Sequence, residues 1–416
     1  MNMQNQIRNA SQDSLIFLCV SPTSFIAIHA MGKSDWFCKD SVFIIKHNCF
    51  KGALCKKHLL SKHIFSSGFH NKSVFLHGRE VLLMFEYMNA FGRNFRVEIF
   101  GESHGAAIGV VVDGVKPGIE LGVEDFMPDI LRRKSGAKGT TPRVEADEPE
   151  ILSGVFEGHT TGAPVAIIFR NNNTRSSDYE ALKAVPRPGH ADYVASVKWN
   201  GFNDPRGGGH FSGRITLPLV AAGAIAKKMC PAICCKADLA EIGGEADKSK
   251  WNNLLDRTAK EGDSLGGIVE CRVTGVPAGL GEPFFDSVES LISHAVFSIP
   301  GVRGIEFGDG FASSRMKGSE HNDPLELKDG VVTTSKNGSG GVNGGVTNGS
   351  PIVFRVAFKP TSSIARSQTT LNVKTGEQTT LNVPGRHDVC FALRTPVIVE
   401  AVAAIVLADL AMACGI

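Results

Sequence analysis

Residues 95–118 read FRVEIFGESHGAAIGVVVDGVKPG. The first six alternate apolar and polar side chains, as a half-buried strand does, and the β-rich run 107–112 ends in the turn signal Asp113-Gly114. Between the two runs Glu102, Ser103 and His104 sit bracketed by glycines, so the segment predicts an antiparallel pair of strands joined at a sharp connection. A small hydroxyl beside an imidazole that titrates near neutrality suits anion binding and proton transfer. A solvated polar hairpin tip explains the segment equally well when it is read alone.

Outward from this segment the chain is globular in composition. It has 416 residues, 42% hydrophobic and 21% charged, enough to build a large core in one domain or two. A formal net charge of +2 gives no global pull toward nucleic acid or an anionic membrane. The ten cysteines show neither a CxxC pair nor regular spacing, so neither a zinc site nor a disulfide framework is indicated, and reduced thiols in a cytoplasmic setting are expected.

Residues 1–87 differ from the rest. They carry six of the thirteen histidines, no acidic residue between positions 41 and 79, and no sustained helical or strand period. Pro22 and Ser24 interrupt the apolar runs, so no membrane helix fits. A transit peptide, a signal peptide and upstream sequence preceding a true start at Met84 or Met88 compete. The last is favoured, with 88–416 as the folded domain and organelle import as the lesser alternative.

In that domain a helix is expected over 123–134, with Arg132, Arg133 and Lys134 at its end and a loop holding Lys138, Thr140, Thr141 and Arg143. Arginine forks beside hydroxyls suit phosphate or carboxylate, although cations at a helix C-terminus facing water need no ligand. The block PRPGHAD (186–192) places Arg187 and His190 in a rigid turn, where a histidine packing a helix start is the commoner case. The block RGGGHFSGR (206–214) runs into an Ala- and Leu-rich helix, a plausible anion cradle. It lacks the Gly-Lys-Ser/Thr ending of a Walker loop and the spacing GxGxxG, which argues against a nucleotide-triphosphate enzyme and a dinucleotide-binding dehydrogenase. A strand over 352–358 leads into Lys359, Pro360, Thr361, Ser362 and Ser363, a phosphate cradle or a surface turn. GRHD (385–388) precedes a nearly uncharged helix over 396–413 that must be buried.

Seven blocks occur in one order: GESHG, PRPGHAD, the glycine loop, GVPAGLGEP (275–283), GDGF (308–311), KPTSS and GRHD. In this set the region 89–416 closely resembles the chorismate synthase family. The resemblance implies an α+β sandwich of antiparallel sheets around a central helical layer, assembled as a homotetramer. It implies a lyase that converts 5-enolpyruvylshikimate 3-phosphate to chorismate by 1,4-elimination of phosphate, using reduced FMN without net redox change.

By that resemblance His104 protonates the departing phosphate, His190 keeps the reduced flavin in its proper ionisation state, and Asp388 works with the flavin in removing the ring hydrogen. Ser103, Arg133, Lys138, Arg187, Arg214 and Arg386 are expected at the substrate. His210, Phe211, Ser212, Gly301, Gly344, Arg386 and the stretch Lys359, Pro360, Thr361, Ser362, Ser363 are expected at the flavin. Many family members carry Arg-Ser-Ser-Ala-Arg where this chain has His210-Phe211-Ser212-Gly213-Arg214, which leaves the flavin contacts there less secure than the three catalytic positions. No nicotinamide fingerprint is present, so an external reductant is expected to supply the flavin. A flavoprotein oxidoreductase and a non-catalytic anion or nucleic-acid binder are the rival classes. Arginines that fall singly beside glycine and histidine motifs, rather than along one basic face, speak against nucleic acid.

Overall fold

The computed structural model describes residues 89–142, 145–172, 183–383 and 387–415, together with the backbone of five short strands upstream. The chain divides into two compact units, Met1–Met88 and Asn89–Ile416. In the first, the apolar runs Leu15–Ser21, Ser24–His29 and Val42–Lys46 pair as a three-stranded antiparallel sheet, and Lys72–His77 pairs with Glu80–Phe85. Each run is rich in Val, Ile, Leu and Phe, which favours strand pairing even though no period extends from one run to the next.

The second unit is built on two antiparallel sheets. The first sheet contains β1 (Ala90–Phe91), β2 (Arg96–Gly101), β3 (Ala107–Asp113), β4 (Pro149–Ser153) and β5 (Val165–Arg170), ordered β1-β2-β3-β5-β4. Arg96 pairs with Asp113 and Gly101 with Ile108, so the GESHG segment is the connection of the β2–β3 pair, as its alternation predicts. The second sheet contains β6 (Cys234–Ile242), β7 (Gly267–Thr274), β8 (Val302–Phe307) and β9 (Ile352–Phe358), ordered β6-β7-β9-β8. Strands β6, β7 and β9 bury alternate positions, so each of these three turns one apolar face inward.

Helices fill the space between the sheets. The expected 123–134 helix is divided: a single turn at Val123–Asp125 is followed by α1 (Met127–Arg133), with Pro128 at its start, where a missing N–H costs nothing. The short α2 (Asp192–Lys198) follows the PRPGH block. Next come α3 (Thr216–Met229), α4 (Lys248–Lys260), α5 (Val288–Phe297) and α6 (Pro396–Ala413). Helix α3 packs on β3 and β5 of the first sheet, α6 packs on β6 and β7 of the second, and α3 and α6 pack on each other. The layers therefore run sheet, helix, helix, sheet. That is the α+β sandwich with a helical centre expected from the motif set.

The helix–helix contact is unusually close at Gly223. A Cβ placed there lies 2.4 Å from Ala401 Cβ and 2.5 Å from Ala401 Cα, so only glycine permits this approach. Helix α6 has the length and apolar character of a membrane span, yet 78% of that stretch is buried inside the protein. Its two acids are both satisfied. Glu400 accepts the Ala237 N–H at 2.9 Å and both Arg132 terminal nitrogens at 2.7 Å. Asp409 Oδ1 accepts the successive N–H groups of Arg93, Asn94 and Phe95 at 2.9, 2.6 and 2.9 Å. Burial opposes ionisation of Glu400, but Arg132, the Ala237 N–H and Lys227 outweigh it and hold its carboxyl below the usual range.

A hairpin unites Gln368–Leu371 with Gln378–Leu381. Its strands belong to two copies of one hexapeptide, QTTLNV at 368–373 and 378–383. Leu381 and Val383 form a small apolar cluster with Val185, and Thr370 donates to the Pro186 carbonyl. The segment entering PRPGHAD is thereby fastened to the segment that leads toward Asp388.

Candidate active site

The glycine loop 206–209 forms the wall between two histidines. Gly207, Gly208 and Gly209 have φ of +60°, +84° and +54°, which side-chain-bearing residues seldom adopt. A Cβ on Gly207 meets His104 Cδ2 at 2.6 Å, His104 Nε2 at 2.7 Å and Ser103 Oγ at 2.8 Å. A Cβ on Gly208 meets His190 Cε1 at 3.3 Å and Nε2 at 3.4 Å. The loop thus needs glycine twice over, for its backbone angles and for the imidazoles on its flanks. Arg206 pairs both oxygens of Asp204 through Nε and Nη2 at 2.8 Å, which braces the loop entry. Those Arg206 bonds, despite partial burial and with a smaller contribution from His104, hold the Asp204 carboxyl below its usual range.

On the first flank, Ser103 and His104 are buried at 2% and 6% exposure. The Ser103 N–H donates to the Gly209 carbonyl at 3.1 Å, and Ser212 Oγ donates to Ser103 Oγ at 3.2 Å. Ser212 Oγ also accepts the Arg214 N–H, capping the turn that enters α3. Arg214 Nη1 reaches Asp147 Oδ1 at 2.7 Å, and Arg133 Nη1 reaches Asp147 Oδ2 at 3.5 Å. Arg133 also donates to Thr216 Oγ1 at 3.0 Å and to the Gly213 carbonyl at 3.0 Å. Burial, then the neighbouring Arg394 and Arg214 cations, lower Arg133 to about 9 against the opposing pull of Asp147 and Asp388. It remains a cation at neutral pH.

On the second flank, Arg187 grips Asp192 bidentately, with Nε at 2.8 Å from Oδ2 and Nη2 at 2.7 Å from Oδ1. His190 Nδ1 lies 2.6 Å from Asp192 Oδ1. Arg187 Nη1 donates to Ser363 Oγ at 2.9 Å, while Lys359 Nζ and Ser362 Oγ both donate to the Gly189 carbonyl at 2.7 Å. PRPGHAD and KPTSS, 170 residues apart, therefore dock on each other. Burial, with the nearby Arg303 charge, pushes the Lys359 ammonium below its ordinary value. Thr361 Oγ1 is buried without a hydrogen-bond partner among the described residues. A cleft beside this flank is lined by His190, Asp192, Asp204, Gly208 and Phe211.

Asp388 stands where the segment after the hairpin meets the loop that follows α1. Its Oδ1 accepts the Thr141 N–H at 2.9 Å and its Oδ2 takes Arg394 Nη2 at 2.6 Å. Arg394 lies over the Phe391 ring at 5.3 Å, and a Cβ on Gly213 falls 3.1 Å from that same ring. Asp388 is thus linked to the glycine-loop segment through Phe391, and its charge is felt at Arg133.

The remaining expected residues fall differently. Lys138 is half exposed and pairs with Asp256 on α4 at 2.8 Å. Both His210 ring nitrogens have protein neighbours, the Gly101 carbonyl at 2.7 Å and Asn89 Oδ1 at 3.1 Å. Phe211 packs against Trp199. The Gly301 carbonyl accepts the Lys359 N–H at 2.9 Å, and Gly344 sits exposed in a turn between Val342–Asn343 and Val346–Thr347. Pro360 is exposed beside Thr361. Arg386 and Arg143 lie outside the described residues. Sequence reasoning missed Asp147, Asp192 and Arg394 as members of the constellation. Asp192 was visible inside PRPGHAD, whereas nothing local to Asp147 or Arg394 signals their long-range partners.

The chorismate synthase family model matches residues 95–412. The chain belongs to the chorismate synthase family. It is 62% identical over 323 residues to a chorismate synthase of Chitinophaga pinensis, covering 77% of this chain and 96% of that protein. It is 45% identical over 355 residues to one of Dehalococcoides mccartyi (79% and 98%) and 46% identical over 346 residues to one of Korarchaeum cryptofilum (77% and 96%). A crystal structure of chorismate synthase matches with a TM-score of 0.60 at 25% identity, over 78% of this chain and 93% of that one.

Proposed function

We propose that the protein is a phosphate lyase that converts 5-enolpyruvylshikimate 3-phosphate to chorismate, the last step of the shikimate route to aromatic amino acids, with reduced FMN as cofactor. The observation that carries this reading is the glycine loop with Ser103 and His104 on one flank and His190 on the other. When bound, reduced FMN supplies a transiently lent electron that eases departure of the phosphate. A buried imidazole beside a serine hydroxyl suits His104 to protonating that phosphate as it leaves. Asp388, held by Arg394 and the Thr141 N–H, has the carboxyl oxygens needed to accept the ring hydrogen as a proton. His190, on the opposite wall of the loop, serves to keep the reduced flavin in its proper ionisation state.

The flavin phosphate is assigned to the KPTSS loop. The orphaned Thr361 hydroxyl, and the Lys359 ammonium bonded to Ser362 of the same loop, fit an anionic group there. Arg133 and Arg214, with Arg187 and Arg386, supply positive charge for an anionic substrate, each direct contact contributing about 1.5–3 kcal/mol. Arg133 and Arg214 are already bonded to Asp147, so they act first by setting the potential of the site. Assembly as a homotetramer, a cytoplasmic location, external supply of reduced flavin and a functional domain confined to 88–416 complete the proposal.

The test is an anaerobic assay with photoreduced FMN and no nicotinamide. Chorismate should form without net flavin oxidation. Stoichiometric flavin oxidation, or no chorismate from the substrate, would refute the reading.

A further inference from the structure

We propose that Asp192 is a positioning residue that fixes His190 in the Nδ1–H tautomer, so that Nε2 is the nitrogen offered to the site. The proposal rests on the reading of His190 as the imidazole that serves the flavin. Its geometry is specific. His190 Nδ1 lies 2.6 Å from Asp192 Oδ1, a separation at which nitrogen and carboxylate oxygen must share a proton, because two lone pairs at that distance repel. Arg187 Nη2 also lies 3.1 Å from Nδ1, and a guanidinium has only hydrogens to offer. Arg187 Nη2 has two hydrogens, one donated to Asp192 Oδ1 at 2.7 Å and the other directed toward Nδ1. The shorter carboxylate contact decides the competition for Nδ1 in favour of a proton on the ring, and the second Arg187 hydrogen then makes no bond there.

The carboxylate cannot turn away from this task. Arg187 engages both of its oxygens, and the Arg187 N–H donates to Oδ2 as well at 3.1 Å. Arg187 is itself anchored by Ser363. Burial disfavours the ionised form of Asp192, but the Arg187 and His190 hydrogen bonds overcome it and hold the carboxyl far below the usual range. Asp192 is therefore an anion throughout the pH range in which the imidazole changes charge. The other edge of the ring faces the loop, with Nε2 3.4 Å from the position of a Gly208 Cβ. A proton taken up or released by His190 thus travels through Nε2 alone. Arg187 acquires a second duty, holding Asp192, beside any contact with the substrate.

The tautomer is read directly by solid-state 15N spectra of full-length protein labelled at histidine, with His190→Gln used to assign the signal. A protonated Nδ1 and unprotonated Nε2 in the neutral ring are expected. The reverse pattern in the wild-type protein overturns the proposal, and this measurement depends on no Asp192 variant folding. Asp192→Asn should mix the tautomers and lower kcat by about 10–100-fold, with KM for the substrate and FMN affinity within about threefold of wild type. Asp192→Glu should restore most of the tautomer ratio and part of kcat. A purely structural role predicts parallel loss of FMN affinity and thermal stability with an unchanged ratio, which also overturns it. If Nδ1–H is found but His190→Ala retains full turnover, the role of His190 falls, and the positioning role falls with it for that separate reason.

Discussion

Gly207→Ala perturbs the site at the place where the loop touches His104. At φ +60° an alanine pays about 1–2 kcal/mol in backbone strain. Its Cβ also meets the imidazole at 2.6 Å, about 0.8 Å inside the 3.4 Å where ordinary contact begins, with Ser103 Oγ at 2.8 Å. The neighbouring strands hold Ser103 and His104 too firmly for a cheap retreat, so overpacking adds roughly 1–3 kcal/mol. A displacement approaching 1 Å at a proton donor costs on the order of 10²-fold in rate. Gly330→Ala is the matched control, since Gly330 has φ +79° in an exposed hairpin turn and open space where a Cβ would go. It carries the strain without the clash. Anaerobic turnover and urea midpoints of both variants separate the two effects. Gly207→Ala should lose about 10²-fold in kcat, and Gly330→Ala should turn over like wild type with only the strain-sized loss of stability. If Gly207→Ala works within threefold of wild type, the placement of His104 against this loop is wrong.

His104→Ala should lower turnover by about 10²–10⁴-fold while FMN titration stays within threefold of wild type; lost flavin binding would reassign the residue. Asp388→Asn should cripple turnover with little change in melting temperature, and near-normal activity would remove it from the mechanism. Glu400→Gln should cost roughly 2 kcal/mol by urea unfolding at neutral pH, less than a fully buried pair because Arg132 is half exposed. The depressed Glu400 carboxyl stabilises the fold above the unfolded glutamate value near ~4.3, and that contribution fades as pH falls through the lower folded value. Wild-type urea midpoints should therefore converge on those of Glu400→Gln as the pH drops below about 4, and a constant gap would contradict the pairing. Deleting residues 1–87 should leave a folded, active enzyme, and an insoluble or inactive product would show that the upstream unit is required.

Local pattern predicted part of the second unit and left β4, β5, α4 and α5 among the elements it did not place. Alternation placed the β2–β3 pair and β9, and the unbroken apolar run placed α6 within its observed bounds. The single helix expected over 123–134 is observed as a turn at Val123–Asp125 and α1, joined through Phe126, whose backbone is itself helical. At the site, glycine runs and histidines were legible because the backbone angles and chemistry they serve are local. Asp147 was not, since its meaning lies in Arg133 and Arg214, one 14 residues and the other 67 residues away. Lys138 read as an anion ligand because charge and neighbouring hydroxyls were visible, while its partner Asp256 on another helix was not.

Helix α6 is apolar on every side, and such a rod has little in its own surface to stop it sliding or rolling between two sheets. Glu400 and Asp409 are nine residues apart, about 13 Å along the axis and on opposite faces at 3.6 residues per turn. One reaches β6 and α1, and the other gathers three N–H groups at the entrance to β2. A slip of a single turn, ~5.4 Å, would strand both carboxylates in hydrocarbon. The two acids therefore act as locating pins. They give a greasy axle one seating, and since β2 runs straight into Ser103 and His104, that seating sets where the turn carrying those two residues begins.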